Sequence, residues 1–161
     1  MPIPHNRYEV AVIGAGITGL AAATEASNCG LKTALVDEGL LGGLVINVGD
    51  IHGHPGVIGT SGAEFINTML SQALEAGVDY CPATITDLSR QGDHWHLGEV
   101  TAAQVILGTG AELRTLNVPG EKEFAGRGVS QCAFCDGGLY KEKDVAVIGG
   151  GDAAFQEALH L

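Results

Sequence analysis

An α/β fold built around parallel strands is the class this sequence predicts, and three observations predict it. Tyr8-Glu-Val-Ala-Val-Ile13 is a short apolar run stopped by glycine, the pattern of a strand buried on both faces of a sheet. It passes through Gly14-Ala-Gly16-Ile-Thr-Gly19 into a stretch rich in Ala and Leu, a succession of strand, glycine turn and helix. The same succession recurs near the other end of the chain, where Val145-Ala-Val-Ile148 runs into Gly149-Gly-Gly151-Asp-Ala-Ala154.

Each element follows from local chemistry. Residues 17–29 form a helix that Gly30 ends as a C-cap, and Lys32-Thr-Ala-Leu-Val36 is a second strand ending at Asp37, which completes a βαβ unit. Residues 39–59 are rich in glycine, carry His52-Gly-His-Pro55, and read as a long loop of the kind that is usually functional. Ser61 and Glu64 make a capping box ahead of Phe65, Ile66, Met69, Leu70, Ala73 and Leu74, an amphipathic helix ending near Gly77. Val78-Asp-Tyr80 is a short strand. Segments 83–89, 94–100 and 103–107 then alternate around Gln91-Gly-Asp93 and Gly98, which suggests a β-meander. Polar residues with Asn117-Val-Pro-Gly120 look like a linker, and a second unit begins near residue 128.

Composition narrows the function. The 161 residues are 45% hydrophobic and 17% charged, which is globular and enough for one good core or two small unequal units. Eight Lys+Arg against 19 Asp+Glu give a net charge of −11 with no basic cluster, which argues against nucleic acid and anionic membrane as partners. The first eight residues have no apolar leader region, so no signal peptide is read. The apolar runs fall far short of the about 20 residues that span a bilayer. Four Cys at irregular spacing do not make a secreted disulfide framework, and a redox-active pair suits a reducing, cytoplasmic location. Cys29 and Cys81 read as small buried apolar side chains.

Two glycine turns and one cysteine pair carry the chemistry. In the first turn Gly14, Ala15, Gly16, Thr18 and Gly19 allow a tight bend, close approach of backbone to a pyrophosphate and tight helix–strand packing. The helix that follows offers N–H donors and a positive dipole end to phosphates. Asp37, at the end of the next strand, is placed to accept hydrogen bonds from the adenosine ribose hydroxyls, with Glu38 as second choice. Gly149, Gly151, Asp152, Ala153 and Ala154 fit the GxGxxA variant and would cradle a second dinucleotide. Its ribose reader, expected about 20 residues past the first glycine, lies outside this chain.

Cys132-Ala-Phe-Cys135-Asp136 by itself fits a metal knuckle, a structural pair or a redox dithiol. Two thiols one helical turn apart can close a disulfide, and the acid after the second Cys can handle the protons that thiol–disulfide exchange requires. A dinucleotide turn shortly downstream can bring two electrons. Zinc would need two further ligands, for which His52 and His54 are the only paired candidates and a poor fit. His94, His96 and the lone Trp95 read as ordinary strand side chains.

With both turns and the cysteine segment in hand, the chain resembles the low-molecular-weight thioredoxin reductase family over essentially all of its length. Gly14-Ala-Gly16-Ile-Thr-Gly19 is similar to that family's FAD pyrophosphate turn, Gly42-Gly43 and Pro55-Gly56 to the loop that wraps the flavin, and Gly108-Thr-Gly-Ala111 to its ATGA segment. Gly126-Arg-Gly-Val-Ser-Gln-Cys-Ala-Phe-Cys-Asp-Gly resembles the stretch with its redox disulfide, the most specific match. The resemblance implies a Rossmann-like FAD-binding domain with a β-meander over 1–114, then the start of a second Rossmann-like, NAD(P)H-binding domain over 115–161. It implies FAD and NAD(P)H, with NADPH expected, and adds Gly42, Gly43, Ala83, Thr109 and Gly110 to the cofactor-binding residues. By position, Cys135 matches the thiol facing the flavin, Cys132 the thiol attacking a partner disulfide, and Asp136 the general acid/base. The implied partner is thioredoxin or a similar small dithiol protein, and the implied assembly is a homodimer.

Where the family usually has Gln after the glycine pair this chain has Leu44, and where it usually has Asn and an aromatic before Pro-Gly this chain has Gly53 and His54. The resemblance covers only the family's N-terminal half. The expectation is therefore a disulfide reductase present as a truncated chain inactive alone. A non-catalytic nucleotide-binding fragment, or a flavoprotein reducing a peroxiredoxin-type partner, are the alternatives.

Overall fold

The structure is a computed structural model and describes residues 7–39, 41–52 and 54–161. The reading of residues 1–6 as lacking an apolar leader, and the departure at Gly53, lie outside the described residues. Two compact units divide the chain, Met1–Ala111 and Glu112–Leu161.

In the first unit six strands of the described residues form one sheet: β1 (Arg7–Ile13), β2 (Thr33–Asp37), β3 (Asp79–Pro82), β4 (Ser89–Gln91), β5 (His94–Leu97) and β6 (Val100–Leu107). Their order is β3-β2-β1-β6-β5-β4. β1 is central and pairs in parallel with β2, Val12 opposite Leu35, and with β6, Val12 opposite Ile106. β3 extends the parallel ladder beside β2, while β4, β5 and β6 run antiparallel as a meander. The meander is shorter than its alternating pattern predicts. Residues 83–88 carry no ladder, and pairing starts only at Ser89.

Two helices cover one face. α1 (Ile17–Asn28) connects β1 to β2, and α2 (Gly62–Glu75) connects β2 to β3. Val10, Val12 and Leu35 on that face pack with Leu20, Ala23, Ile66 and Ala73 from the helices. Ala11, Ala34 and Val36 point the other way and join Tyr8, Cys81, Leu97, Val100 and Ala102 in a second core. This two-sided burial is why β1 and β2 read as unbroken apolar runs rather than as alternating ones. α1 ends in a Schellman arrangement, with Leu31 N–H donating to the Ala26 carbonyl at 3.2 Å and Gly30 N–H to that of Ser27 at 2.8 Å. At the start of α2 the capping box is formed: Glu64 N–H donates to Ser61 Oγ at 3.3 Å, and Ser61 N–H to Glu64 Oε2 at 3.0 Å.

The second unit has α3 (Ala133–Asp136), a 3-10 turn (Gly137–Tyr140) and α4 (Asp152–His160). The strand predicted over 145–148 is not formed. Those residues are exposed and have no ladder partner among the described residues, and a parallel strand exists only through its neighbours' N–H and C=O groups. Upstream, the expected linker folds onto itself: Glu121 accepts from Leu116 N–H at 2.9 Å and from Asn117 N–H at 2.7 Å. Cys81 is buried as expected, but Cys29 is exposed, because it is the C-cap of α1 where that helix leaves the core. Among the described residues, no helix is long and apolar enough to cross a membrane.

Candidate functional site: a glycine cradle and a disulfide turn

The turn after β1 is shaped by what cannot fit there. Gly14 has φ +100°, and a Cβ on it would overlap the Gly108 carbonyl. A Cβ on Gly19 would overlap the Gly14 carbonyl, so α1 starts as close to the strand as backbone allows. α1 begins at its N-cap Gly16 with no side-chain cap, which leaves its first-turn N–H groups without a side-chain acceptor. The same turn gathers the loops expected beside it. Gly42 N–H donates to the Ala15 carbonyl at 2.9 Å, the backbones of Gly43 and Gly16 are in close approach, and Gly108 N–H donates to the Ile13 carbonyl at 2.8 Å, which sets Thr109 next to Gly14, with Gly110 following it in the chain.

Asp37 is tied into this cradle. Its Oδ2 accepts from Ala15 N–H at 2.7 Å and its Oδ1 from Gly39 N–H at 3.1 Å. Each carboxylate oxygen keeps a lone pair for a further donor. Ala83 N–H donates to the Asp37 carbonyl at 2.8 Å, so Ala83 closes the same end of the sheet, and Glu38 is exposed beside it. Thr18 is exposed on the first turn of α1. Ala15, Gly16, Gly42, Gly43 and Thr109 thus meet around one helix N-terminus, with Asp37 bonded into the turn and Ala83 bonded to Asp37, at the carboxyl ends of β1, β2 and β6, where open α/β sheets take nucleotides. The uncapped N–H groups, the glycine backbone and the acid fit an adenine dinucleotide. His54 packs against Phe65 with ring centroids 5.4 Å apart, and Leu44 is exposed.

In the second unit Cys132 and Cys135 are joined as a disulfide, with Cα atoms 5.3 Å apart. Cys132 is the N-cap of α3, and its sulfur accepts from Cys135 N–H at 3.2 Å. Asp136, at the end of the same turn, accepts from Ser130 Oγ at 2.7 Å, while Ser130 Oγ accepts from Cys132 N–H at 3.1 Å. A single hydroxyl therefore ties the acid to the backbone of the first cysteine. Sequence reasoning missed Ser130; its signal was a Ser two residues before an N-cap, placed to hydrogen-bond forward onto the backbone. Missed too was Glu157 on α4, whose Oε2 accepts from Ala133 N–H at 2.9 Å. Among the described residues no three His, Cys, Asp or Glu side chains are grouped to hold a metal ion.

The second glycine turn leads into α4. Gly149 has φ +143°, and Gly151 is the N-cap with no side-chain cap. Asp152 lies in the first turn, followed by Ala153 and by Ala154, whose methyl sits where a Gly149 Cβ would point. Phe155 N–H donates to the Gly151 carbonyl at 3.2 Å. The turn is formed without the paired strand expected before it.

Comparison with known proteins gives these sites a family. Residues 8–161 match the family described as pyridine nucleotide-disulphide oxidoreductase. A thioredoxin reductase of Treponema pallidum is 40% identical over 159 residues, 96% of this chain and 52% of that protein. One of Bacillus subtilis is 38% identical over 159 residues, again 96% of this chain and 50% of the relative. Among solved structures, the thioredoxin reductase of Streptococcus pyogenes is 34% identical with a TM-score of 0.75, covering 96% of this chain and 52% of that one. The chain spans about half the length of the curated relatives it matches. Both the glycine cradle and the disulfide turn lie within the matched residues, and the chain belongs to the pyridine nucleotide-disulphide oxidoreductases.

Proposed function

We propose that this chain carries the FAD site and the redox disulfide of a thioredoxin reductase-like enzyme that reduces a protein disulfide. The observation that carries the reading is the Cys132–Cys135 disulfide with Asp136 held beside it through Ser130. Residues 14–19, Asp37, Gly42, Gly43, Ala83, Thr109 and Gly110 would hold FAD, and Gly149, Gly151 and Asp152 to Ala154 would open the nicotinamide nucleotide site. Bound FAD would supply two electrons taken from NAD(P)H, with NADPH the expected donor.

The residues themselves then do thiol–disulfide chemistry. Reduction breaks the Cys132–Cys135 bond and adds two electrons and two protons. The Cys132 thiolate attacks one sulfur of the partner disulfide, and the partner's other sulfur leaves and takes a proton. Cys135 then attacks the mixed disulfide at Cys132 sulfur, which re-forms the internal disulfide and releases the partner's second thiol. Asp136 is the group that gives and removes those protons. The expected acceptor is thioredoxin or a similar small dithiol protein, in the cytoplasm, with the whole enzyme a homodimer.

The test is a thiol titration of the chain before and after dithiothreitol, with the reductant removed. Two additional thiols, lost again on reoxidation, are expected. Stoichiometric zinc with both thiols blocked would sink the redox reading. Asp136→Asn should slow exchange by roughly 10²-fold or more, as loss of a general acid/base does, while leaving the disulfide able to form.

A further inference from the structure

α4 starts at the glycine turn proposed above for a nicotinamide nucleotide, and it also reaches the redox pair. Glu157, on its second turn, accepts from Ala133 N–H at 2.9 Å. Ala133 is the residue directly after Cys132, so the Glu157 carboxylate is hydrogen-bonded one residue from the attacking cysteine. The Cys132 sulfur itself accepts from Cys135 N–H at 3.2 Å.

The other charged or titratable groups around the turn are few. Asp136 faces Ser130 on one side. From α4, His160 packs its ring on Phe134 at 4.2 Å. The adjoining 3-10 turn contributes Tyr140. Glu157 brings a carboxylate from α4 onto the backbone next to the attacking sulfur.

We propose that Glu157 is a positioning residue that sets the acidity of Cys132 and makes the Cys132–Cys135 pair a stronger reductant. A negative charge beside a thiolate disfavours it, and a dithiol whose thiolate is disfavoured is less stable relative to its disulfide. The effect belongs to pH values at which the thiol ionises, and fades below them, where both sulfurs are protonated. This rests on the reading of Cys132–Cys135 as a reversible disulfide.

Glu157→Gln tests it, because the amide oxygen can still accept from Ala133 N–H while the charge is gone. The exposed Glu142→Gln in the same unit is the control for simple loss of one charge. The measurement is the disulfide–dithiol equilibrium of the 161-residue chain against dithiothreitol, which closes to its own cyclic disulfide as it gives two electrons and two protons, from pH 6 to 9. Expected for Glu157→Gln is a shift toward the dithiol of about threefold to tenfold at the alkaline end, or about 15–30 mV at 29.6 mV per tenfold change. The shift should vanish at the acid end, with the Cys132 thiol titrating lower by iodoacetamide rate. Glu142→Gln should match the wild type. An unmoved equilibrium in Glu157→Gln, one shared with Glu142→Gln, or a shift independent of pH would overturn the inference. So would loss of helical circular dichroism in Glu157→Gln, since the charge would then serve folding. If the wild-type disulfide is not reducible at all, the proposed function fails instead.

Discussion

Asp37 shows how one side chain serves two ends. Its carboxylate holds the glycine turn through Ala15 N–H and its own loop through Gly39 N–H, and both oxygens retain a lone pair for a further donor, proposed above to be a ribose hydroxyl. Asp37→Ala should weaken FAD binding by about 1–3 kcal/mol, the usual loss when hydroxyls lose a charged acceptor, measured by quenching of flavin fluorescence. Unchanged affinity would move the role to the exposed Glu38. At the thiols, burial pushes Cys81 up, Asp79 adds to this, and the hydrogen bond with Tyr8 opposes it. Exposed Cys29 should therefore react promptly with a disulfide reagent at pH 8, and Cys81 only slowly until the chain is unfolded. The sign for stability follows. A thiol raised in the fold keeps its full contribution below the unfolded value of about 8.5 and loses it as pH rises toward the folded value. Stability should fall as pH rises above about 8.5, and less so in Cys81→Ala.

Among the elements, α2 depends on its cap. Ser61 and Glu64 satisfy each other's backbone donors, and these hydrogen bonds hold the Glu64 carboxyl below the usual glutamate range. Ser61→Ala should destabilise the first unit by about 1 kcal/mol in urea unfolding at pH 7. Because the Glu64 value is lowered in the fold, its share of the cap is present above the ordinary glutamate range and is lost as pH falls through the lowered value. The gap between Ser61→Ala and wild type should accordingly narrow by pH 3. An unchanged gap would mean that the Ser61 hydroxyl acts without its carboxylate partner.

For the molecule as a whole, the two units are unequally furnished. The first has a six-stranded sheet with a core on each face. In the second, residues 145–149 have no ladder, and α4 exposes Phe155 and Leu159, at 66% and 88%. Flavin binding is therefore expected to survive in the isolated 161-residue polypeptide more readily than hydride delivery. Steady-state assay with NADPH or NADH, FAD and thioredoxin should give negligible turnover, with a yellow flavin band on the purified chain as the separate check on the cradle. Robust turnover would mean that association between chains completes the second unit.

The sequence by itself determined the elements whose physics is local. The glycine turns, the Ser61 box, the C-terminal glycines after α1 and α2 and the apolar runs of β1 and β2 each carry their cause within about a dozen residues. So does the cysteine pair, one helical turn apart and followed by its acid. At the cradle, Gly14 and Asp37 were read from the glycine turn and from the acid that ends the next strand, whereas Gly42, Ala83 and Thr109 were named only through a family resemblance. Tertiary structure alone decided what depends on neighbours distant in sequence. A strand is a strand only when another pairs with it, and among the described residues none pairs with the apolar run 145–148 or with residues 83–88. Cys29 is exposed because of where α1 leaves the core, which its small apolar character does not reveal. Ser130 and Glu157 were silent in the sequence for the same reason. A hydroxyl or carboxylate acquires its role from the donor it meets, and for Glu157 that donor lies 24 residues away.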